Sequence, residues 1–163
     1  MSIKQISVFL ENKPGSLCAM TGVLAQNQIG MRAFSLAETS DFGIARMIVD
    51  DVYKTATVLK DAGFINNITP VLGVAIPDVP GGLNKVLQAL TDANVNVEYM
   101  YAFLGGRDAD HAYIIFRVAD NAASASALAR SSGGSLESRA SSCCWAAHCA
   151  FAASSWACSW ASV

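Results

Sequence analysis

Asn12-Lys13-Pro14-Gly15-Ser16-Leu17 returns, 66 positions later, as Asp78-Val79-Pro80-Gly81-Gly82-Leu83. Each copy follows an apolar extended run and opens a helix-like pattern. An Asx side chain can accept hydrogen bonds from nearby backbone N–H groups. Proline fixes φ and is tolerated where a helix begins, because no donor is needed there. Glycine lets another group approach the backbone closely. The phrase therefore predicts a tight bend that presents free N–H groups at a helix N-terminus, a spot that favours an anion such as a carboxylate. It is a candidate ligand site, present in two versions.

Outward from the first copy, Ile6, Val8 and Leu10 alternate, which predicts a strand from about Ile3 to Glu11. Leu17, Met20 and Leu24 fall at helical spacing and are assigned to the core, and Gly30 stops that pattern. Strands follow at Met31 to Glu38 and Ile44 to Val49, joined at Asp41-Phe42-Gly43, and then a helix through Val52, Ala56 and Leu59 up to Gly63. Val71 to Ile76 reads as a fourth strand that also starts the second round. After Pro80-Gly81-Gly82 come a helix with Leu83, Val86, Leu87 and Leu90 on one face, a strand Val97 to Leu104, a turn at Gly105-Gly106-Arg107-Asp108, a strand His111 to Val118, and a helix containing Leu128, capped by Asp120.

The halves overlay directly. At a shift of 66, Leu24 falls on Leu90 and Ile29 on Val95. Past the hairpin the shift is 69, so Asp51 meets Asp120 and Leu59 meets Leu128. This is an internal duplication of a β-α-β-β-α-β unit, with two helices expected on one face of each antiparallel sheet. The fold class is α+β, with units over 1–68 and 69–130 and a strand at 69–78 serving both. A half of this size is marginal alone, so the two sheets are expected to pair edge to edge or to pack face to face.

Residues 131–163 do not continue the pattern. They hold ten Ser, eight Ala, four of the five Cys and all three Trp, with only Glu137 and Arg139 charged. The duplication calls for a closing strand near 133–142, where Ser131-Ser132-Gly133-Gly134-Ser135-Leu136 is a poor strand former. The tail reads as disordered or foreign to the fold. As a membrane anchor, 143–163 is too rich in Ser and Ala. Cys143, Cys144, His148 and Cys149 lack the spacing of a zinc site, so no metal and no cofactor is assigned.

Eleven Lys and Arg against thirteen Asp and Glu give a net charge of −2, which does not suit nucleic acid or an anionic membrane as a partner. The start of the chain lacks the apolar core of a secretion signal, and Cys18 is the lone cysteine before the tail, so the expected compartment is reducing and cytoplasmic. No Ser-His-Asp, Cys-His or paired-carboxylate cluster accompanies the glycine turns, so no catalysis is expected. Cys18 reads as a small buried hydrophobe, and Tyr99, Tyr101 and Phe103 as one face of a strand, used for sheet packing or for lining a pocket. RNA binding by a unit of this topology would need stacking aromatics on central strands, and Ile44 to Val49 has none.

With the duplicated unit and both Asx-x-Pro-Gly-x-Leu phrases in view, residues 1–130 resemble tandem ACT-domain proteins. The resemblance implies ferredoxin-like units that pair into an eight-stranded antiparallel sheet, and a non-catalytic sensor that binds an amino acid or similar small carboxylate where the first turn of one unit faces another. Its ligand positions would be Asn12, Lys13, Pro14, Gly15, Ser16 and Leu17, and Asp78, Val79, Pro80, Gly81, Gly82 and Leu83. A homodimer and a partner enzyme of amino-acid metabolism are the expected assemblies. The copies differ, since Lys13 brings a positive charge where Val79 brings none and Asp78 is anionic where Asn12 is neutral, so the first should suit a carboxylate better. The alternatives are a ligand-free module that regulates a partner enzyme and, more remotely, an RNA-binding domain.

Overall fold

The computed structural model describes residues 2–103 and 111–131. The order is β1 (Ser2–Glu11), α1 (Ser16–Gln26), β2 (Met31–Glu38), β3 (Phe42–Val49), α2 (Val52–Asp61), β4 (Asn66–Pro77), α3 (Gly82–Asp92), β5 (Val97–Phe103), β6 (His111–Val118) and α4 (Asn121–Ser131). Among the described residues the strands form one antiparallel sheet, in the order β2-β3-β1-β4-β6-β5. This is the α+β architecture of two ferredoxin-like units in tandem. The turn at Gly105–Asp108, the closing strand sought near 133–142 and the tail cysteines lie outside the described residues.

β4 is the seam. Its first part pairs with β1, from Asn66 opposite Val8 to Leu72 opposite Ser2, and its second part pairs with β6, from Leu72 opposite Phe116 to Pro77 opposite His111. The strand begins five residues earlier than the apolar run suggests. Asn66, Asn67 and Pro70 are weak strand formers, and pairing with β1 overrides local propensity.

Each half has its own core beneath its helices. Ile6, Val8, Leu10, Met20, Leu24, Ala45, Met47, Val49 and Leu59 fill the first, and Leu72, Val74, Ile76, Val86, Leu90, Ile114, Phe116, Val118 and Leu128 fill the second. The duplication extends to the caps. The Asp51 carboxylate accepts from the N–H groups of Tyr53 and Lys54, and Asp120 accepts from those of Ala122 and Ala123. Thr55 and Ser124, both fully buried, each donate a hydroxyl to the carbonyl of their capping aspartate at 2.6 Å.

The sheet is folded over on its helix-free side. In a flat sheet β3 and β5, four strand spacings apart, would be separated by roughly 19 Å. The Arg46 guanidinium of β3 nevertheless lies 4.1 Å from the centre of the Tyr99 ring of β5. A third apolar cluster, Ala33, Ile48, Val71 and Ile115 with Ile3 and Tyr101, sits between the facing half-sheets. The halves thus meet face to face, one of the two packings expected from the sequence, and among the described residues the sheet has six strands where the resemblance implied eight.

Candidate functional site

Both Pro-Gly phrases form the same bend. Ser16 N–H donates to the Lys13 carbonyl at 3.3 Å and Gly82 N–H to the Val79 carbonyl at 2.9 Å, closing four-residue turns with proline second and glycine third. Gly15 has φ 89° and ψ −18°, and Gly81 φ 83° and ψ −2°. A type II turn needs positive φ at that place, which is why glycine stands there. Gly15 and Gly81 are the helix N-caps, and neither helix has a side-chain cap.

The first intrahelical bonds run from Ala19 N–H to Gly15 O and from Lys85 N–H to Gly81 O. The N–H groups of Leu17 and Cys18, and of Leu83 and Asn84, precede those bonds, as orphan donors of a first helical turn do. The Ser16 and Gly82 N–H groups, by contrast, are used by the turns themselves.

Asn12 does not serve as an acceptor for those donors. Its amide Nδ2 donates to the Thr39 carbonyl at 3.0 Å, and its own N–H donates to the Asp41 carbonyl, so it ties the turn to the β2–β3 hairpin. Lys13 forms an exposed ion pair with Glu11, which holds the Glu11 carboxyl below the usual carboxylate range through its hydrogen bond and its charge. Part of the positive charge expected to meet a ligand is thus already shared.

Two burial assignments are corrected, that of Leu17 from helical spacing and that of Cys18 from its residue type. Leu17 is 38% exposed, and Cys18 is exposed as well. Both lie on the first turn of α1, while Met20 and Leu24 one and two turns later are buried. Leu17 instead borders a cleft of about 60 Å³, lined also by Leu10, Glu11, Asn12, Lys13, Ser16 and Leu36. Four of the six positions of the first phrase, Asn12, Lys13, Ser16 and Leu17, line this cleft, whereas Pro14 and Gly15 form the bend between them.

The second phrase is elsewhere. β1 and β4 are antiparallel, so the turn after Glu11 and the turn after Pro77 leave opposite ends of the sheet. About sixteen residues of strand separate them, on the order of 50 Å if straight. Within one chain Asp78, Val79, Pro80, Gly81, Gly82 and Leu83 do not face Asn12 to Leu17. At the second bend a Cβ on Gly82 would stand 2.5 Å from the Pro77 carbonyl oxygen, and Leu83 is partly buried against the second core, so the bend is drawn in against its strand. Tyr99 and Tyr101 point between the half-sheets and not toward either turn.

No helix among the described residues is long and apolar enough to cross a membrane, and no group of His, Cys, Asp and Glu among them could hold a metal ion.

The paired bends, the shared strand and the two helix-backed half-sheets define a tandem ACT architecture. The family described as the ACT domain pair matches residues 1–130, and the chain belongs to it. Among solved structures, protein BT0572 from Bacteroides thetaiotaomicron is 42% identical, with a TM-score of 0.75 over 81% of this chain and 90% of that one. The regulatory subunit of aspartate kinase from Thermus thermophilus, in a ligand-free form, has the same fold at 17% identity, with a TM-score of 0.60 over 78% of this chain and 91% of that one. The corresponding subunit from Thermus flavus gives a TM-score of 0.57 at 17% identity over the same shares. Among curated proteins none matches.

Proposed function

We propose that this protein is a non-catalytic regulatory sensor that binds an amino acid, or a small carboxylate like it, at the first Pro-Gly turn. The observation that carries this reading is the coincidence of orphan N–H donors at Leu17 and Cys18 with the cleft beside Ser16 and Leu17. Main-chain donors at a helix start stabilise a carboxylate, and Leu17 and Leu36 offer an apolar wall to the rest of the molecule. The cleft has room for roughly four water-sized groups, enough for a carboxylate and the atoms next to it. The remainder of a ligand would rest against a second surface. Membership of the ACT domain pair family and the fold shared with aspartate kinase regulatory subunits support a regulatory role.

A thermal-shift screen of the twenty amino acids, followed by calorimetry, tests this directly. Leu17→Asp is the informative variant. Its side chain is exposed, and an acid in the first turn favours the helix, so the fold should be unharmed while affinity falls about tenfold or more through repulsion of the ligand carboxylate, a loss of about 1.4 kcal/mol. Asn12→Ala should weaken binding by loosening the turn, and Asp78→Ala should leave it unchanged. Equal losses at Asn12 and Asp78 would argue against unequal sites, and no stabilisation by any amino acid would favour the ligand-free regulatory module instead.

The second surface is best supplied by another copy of the chain. β2 is an edge strand that exposes Phe34 and Leu36 on the helix side. In an antiparallel ladder of two β2 strands centred on Ser35, Phe34 of each copy faces Leu36 of the other and Ala33 faces Ala37. Leu36 also lines the cleft, so the second copy would bring its Phe34 to the rim. Phe34→Glu places four-residue apolar packing under repulsion and is expected to give a monomer by sedimentation. An unchanged dimer, or a wild-type monomer, would reject the β2 interface.

A further inference from the structure

We propose that Gln5, Tyr99 and Tyr101 form a latch that locks the two half-sheets together, so that the halves behave as one body across the seam strand. Gln5 lies on the helix-free side of β1 and is completely buried, an uncommon place for a primary amide. Its hydrogen-bonding groups are used across the gap. Nε2 donates to the Tyr99 hydroxyl at 2.8 Å and to the Ser7 hydroxyl at 3.0 Å, and Oε1 accepts from the Tyr101 hydroxyl at 2.9 Å. The two tyrosines are 94 and 96 positions away in sequence and belong to the other half.

Beyond the backbone ladders of β4, the latch supplies directional contact between the facing surfaces. The two helix-side cores are separate, one per half. Among the described residues, the apolar cluster between the facing surfaces is the small one around Ala33, Ile48, Val71 and Ile115. Apolar contact of that kind is non-directional and would tolerate sliding, whereas an amide with three partners fixes one register. At the seam, Gly73 lets the Ile3 side chain cross β4 toward Ile115, since a Cβ there would stand 2.4 Å from Ile3 Cδ1. β4 changes partners from β1 to β6 at the adjoining residue, Leu72, so this is where one half can turn relative to the other.

The latch is also braced from outside. Arg46 covers the Tyr99 ring, and Arg117 of β6 donates to the Pro70 carbonyl at 3.0 Å. Burial, with a smaller contribution from Tyr99 and against the effect of Arg46, pushes the Tyr101 phenol well above its ordinary value, so it stays a donor to Gln5.

Residue-resolved hydrogen exchange on the full chain tests the latch. In the wild type, amides of the two cores, such as Ile6 and Met47 on one side and Ile114 and Phe116 on the other, are expected to exchange through one common opening. In Gln5→Met, and in the Tyr99→Phe/Tyr101→Phe double variant, the second half is expected to open separately, with Ile114 and Phe116 exchanging at least tenfold faster relative to Ile6 and Met47. Tyr99→Phe alone, which removes one hydroxyl and keeps every ring, should show the same asymmetry in smaller degree and guards against variants that simply fail to fold. Uniform acceleration in both halves, or an unchanged ratio in all three variants, would overturn the proposal.

Discussion

Phe116→Ala is expected to destabilise the protein by about 3–5 kcal/mol, the range for emptying a buried aromatic site. Phe116 is the largest of the completely buried side chains, at the centre of the second core between β4 and the helices above it. It stands opposite Leu72, the residue where β4 changes partners, so the cavity would open directly beneath the seam. Neighbours can relax only in part, because β4 is held from its other end by β1. At roughly 4 °C per kcal/mol for a protein of this size, melting should fall by roughly 12–20 °C. At the shift of 69, Met47 is the counterpart in the first core, and Met47→Ala should cost about 2–5 kcal/mol.

Met100→Ala supplies the control. Met100 is paired with Phe116 across the β5–β6 ladder but is 42% exposed, so its loss should cost less than about 1 kcal/mol. With the latch in place, Phe116→Ala and Met47→Ala should each lower a single melting transition. If Phe116→Ala melted the second half alone while the first kept its wild-type midpoint, the halves would be energetically separate even with Gln5 in place. A loss under about 1 kcal/mol would mean that the second core collapses around the gap.

The parts of this fold that depend on local physics could be read directly from the residues. Apolar alternation in Ile6, Val8 and Leu10, helical spacing in Met20 and Leu24, and the paired capping aspartates Asp51 and Asp120 all act within a few residues of where they occur. The duplication strengthened each of them by supplying a second copy. The Pro-Gly bends were legible because type II geometry leaves few residue choices at its two central positions.

What could not be read depends on partners distant in sequence. Asn66 and Asn67 become strand only because β1 lies beside them. Leu17 fits the helical stripe by spacing, yet it is exposed, and no pattern along a helix reveals which of its turns the rest of the fold will cover. Gln5 sits at an alternating position that reads as solvent-facing; only the folding over of the sheet turns that face inward. Tyr99 and Tyr101 gave the one available hint, since two phenols on one face of a strand ask for buried polar partners. The placement of the two turns at opposite ends follows from the antiparallel pairing of β1 with β4, a fact of register that composition and spacing do not contain.

Gly82→Ala is expected to destabilise by about 1–3 kcal/mol, the usual cost of forcing a methyl group into a filled space. The reason is proximity, not backbone conformation. Gly82 is the first residue of α3 and is buried, and an added Cβ would meet the Pro77 carbonyl oxygen at 2.5 Å, a backbone atom that cannot swing aside as a side-chain end could. That carbonyl already accepts from Val79 N–H at 2.9 Å, so displacing it strains the bend as well as the strand end. Gly22→Ala is the matched control. Gly22 lies inside α1 with nothing within 4 Å of an added Cβ, so alanine there should stabilise by roughly 0.5–1 kcal/mol through helix propensity alone. The same chemical change should thus have opposite signs in the two helices. The first bend carries Ser16 at the place of Gly82, with a turn bond of 3.3 Å where the second has 2.9 Å, so the first is the looser of the two. A tight second bend leaves less space beside its donors, which is the physical ground for expecting ligand at Ser16 and Leu17 and not at Gly82 and Leu83. If Gly82→Ala proved neutral or stabilising in a denaturant titration, the second bend would be as yielding as the first, and the case for unequal sites would rest on Lys13 and Asp78 alone.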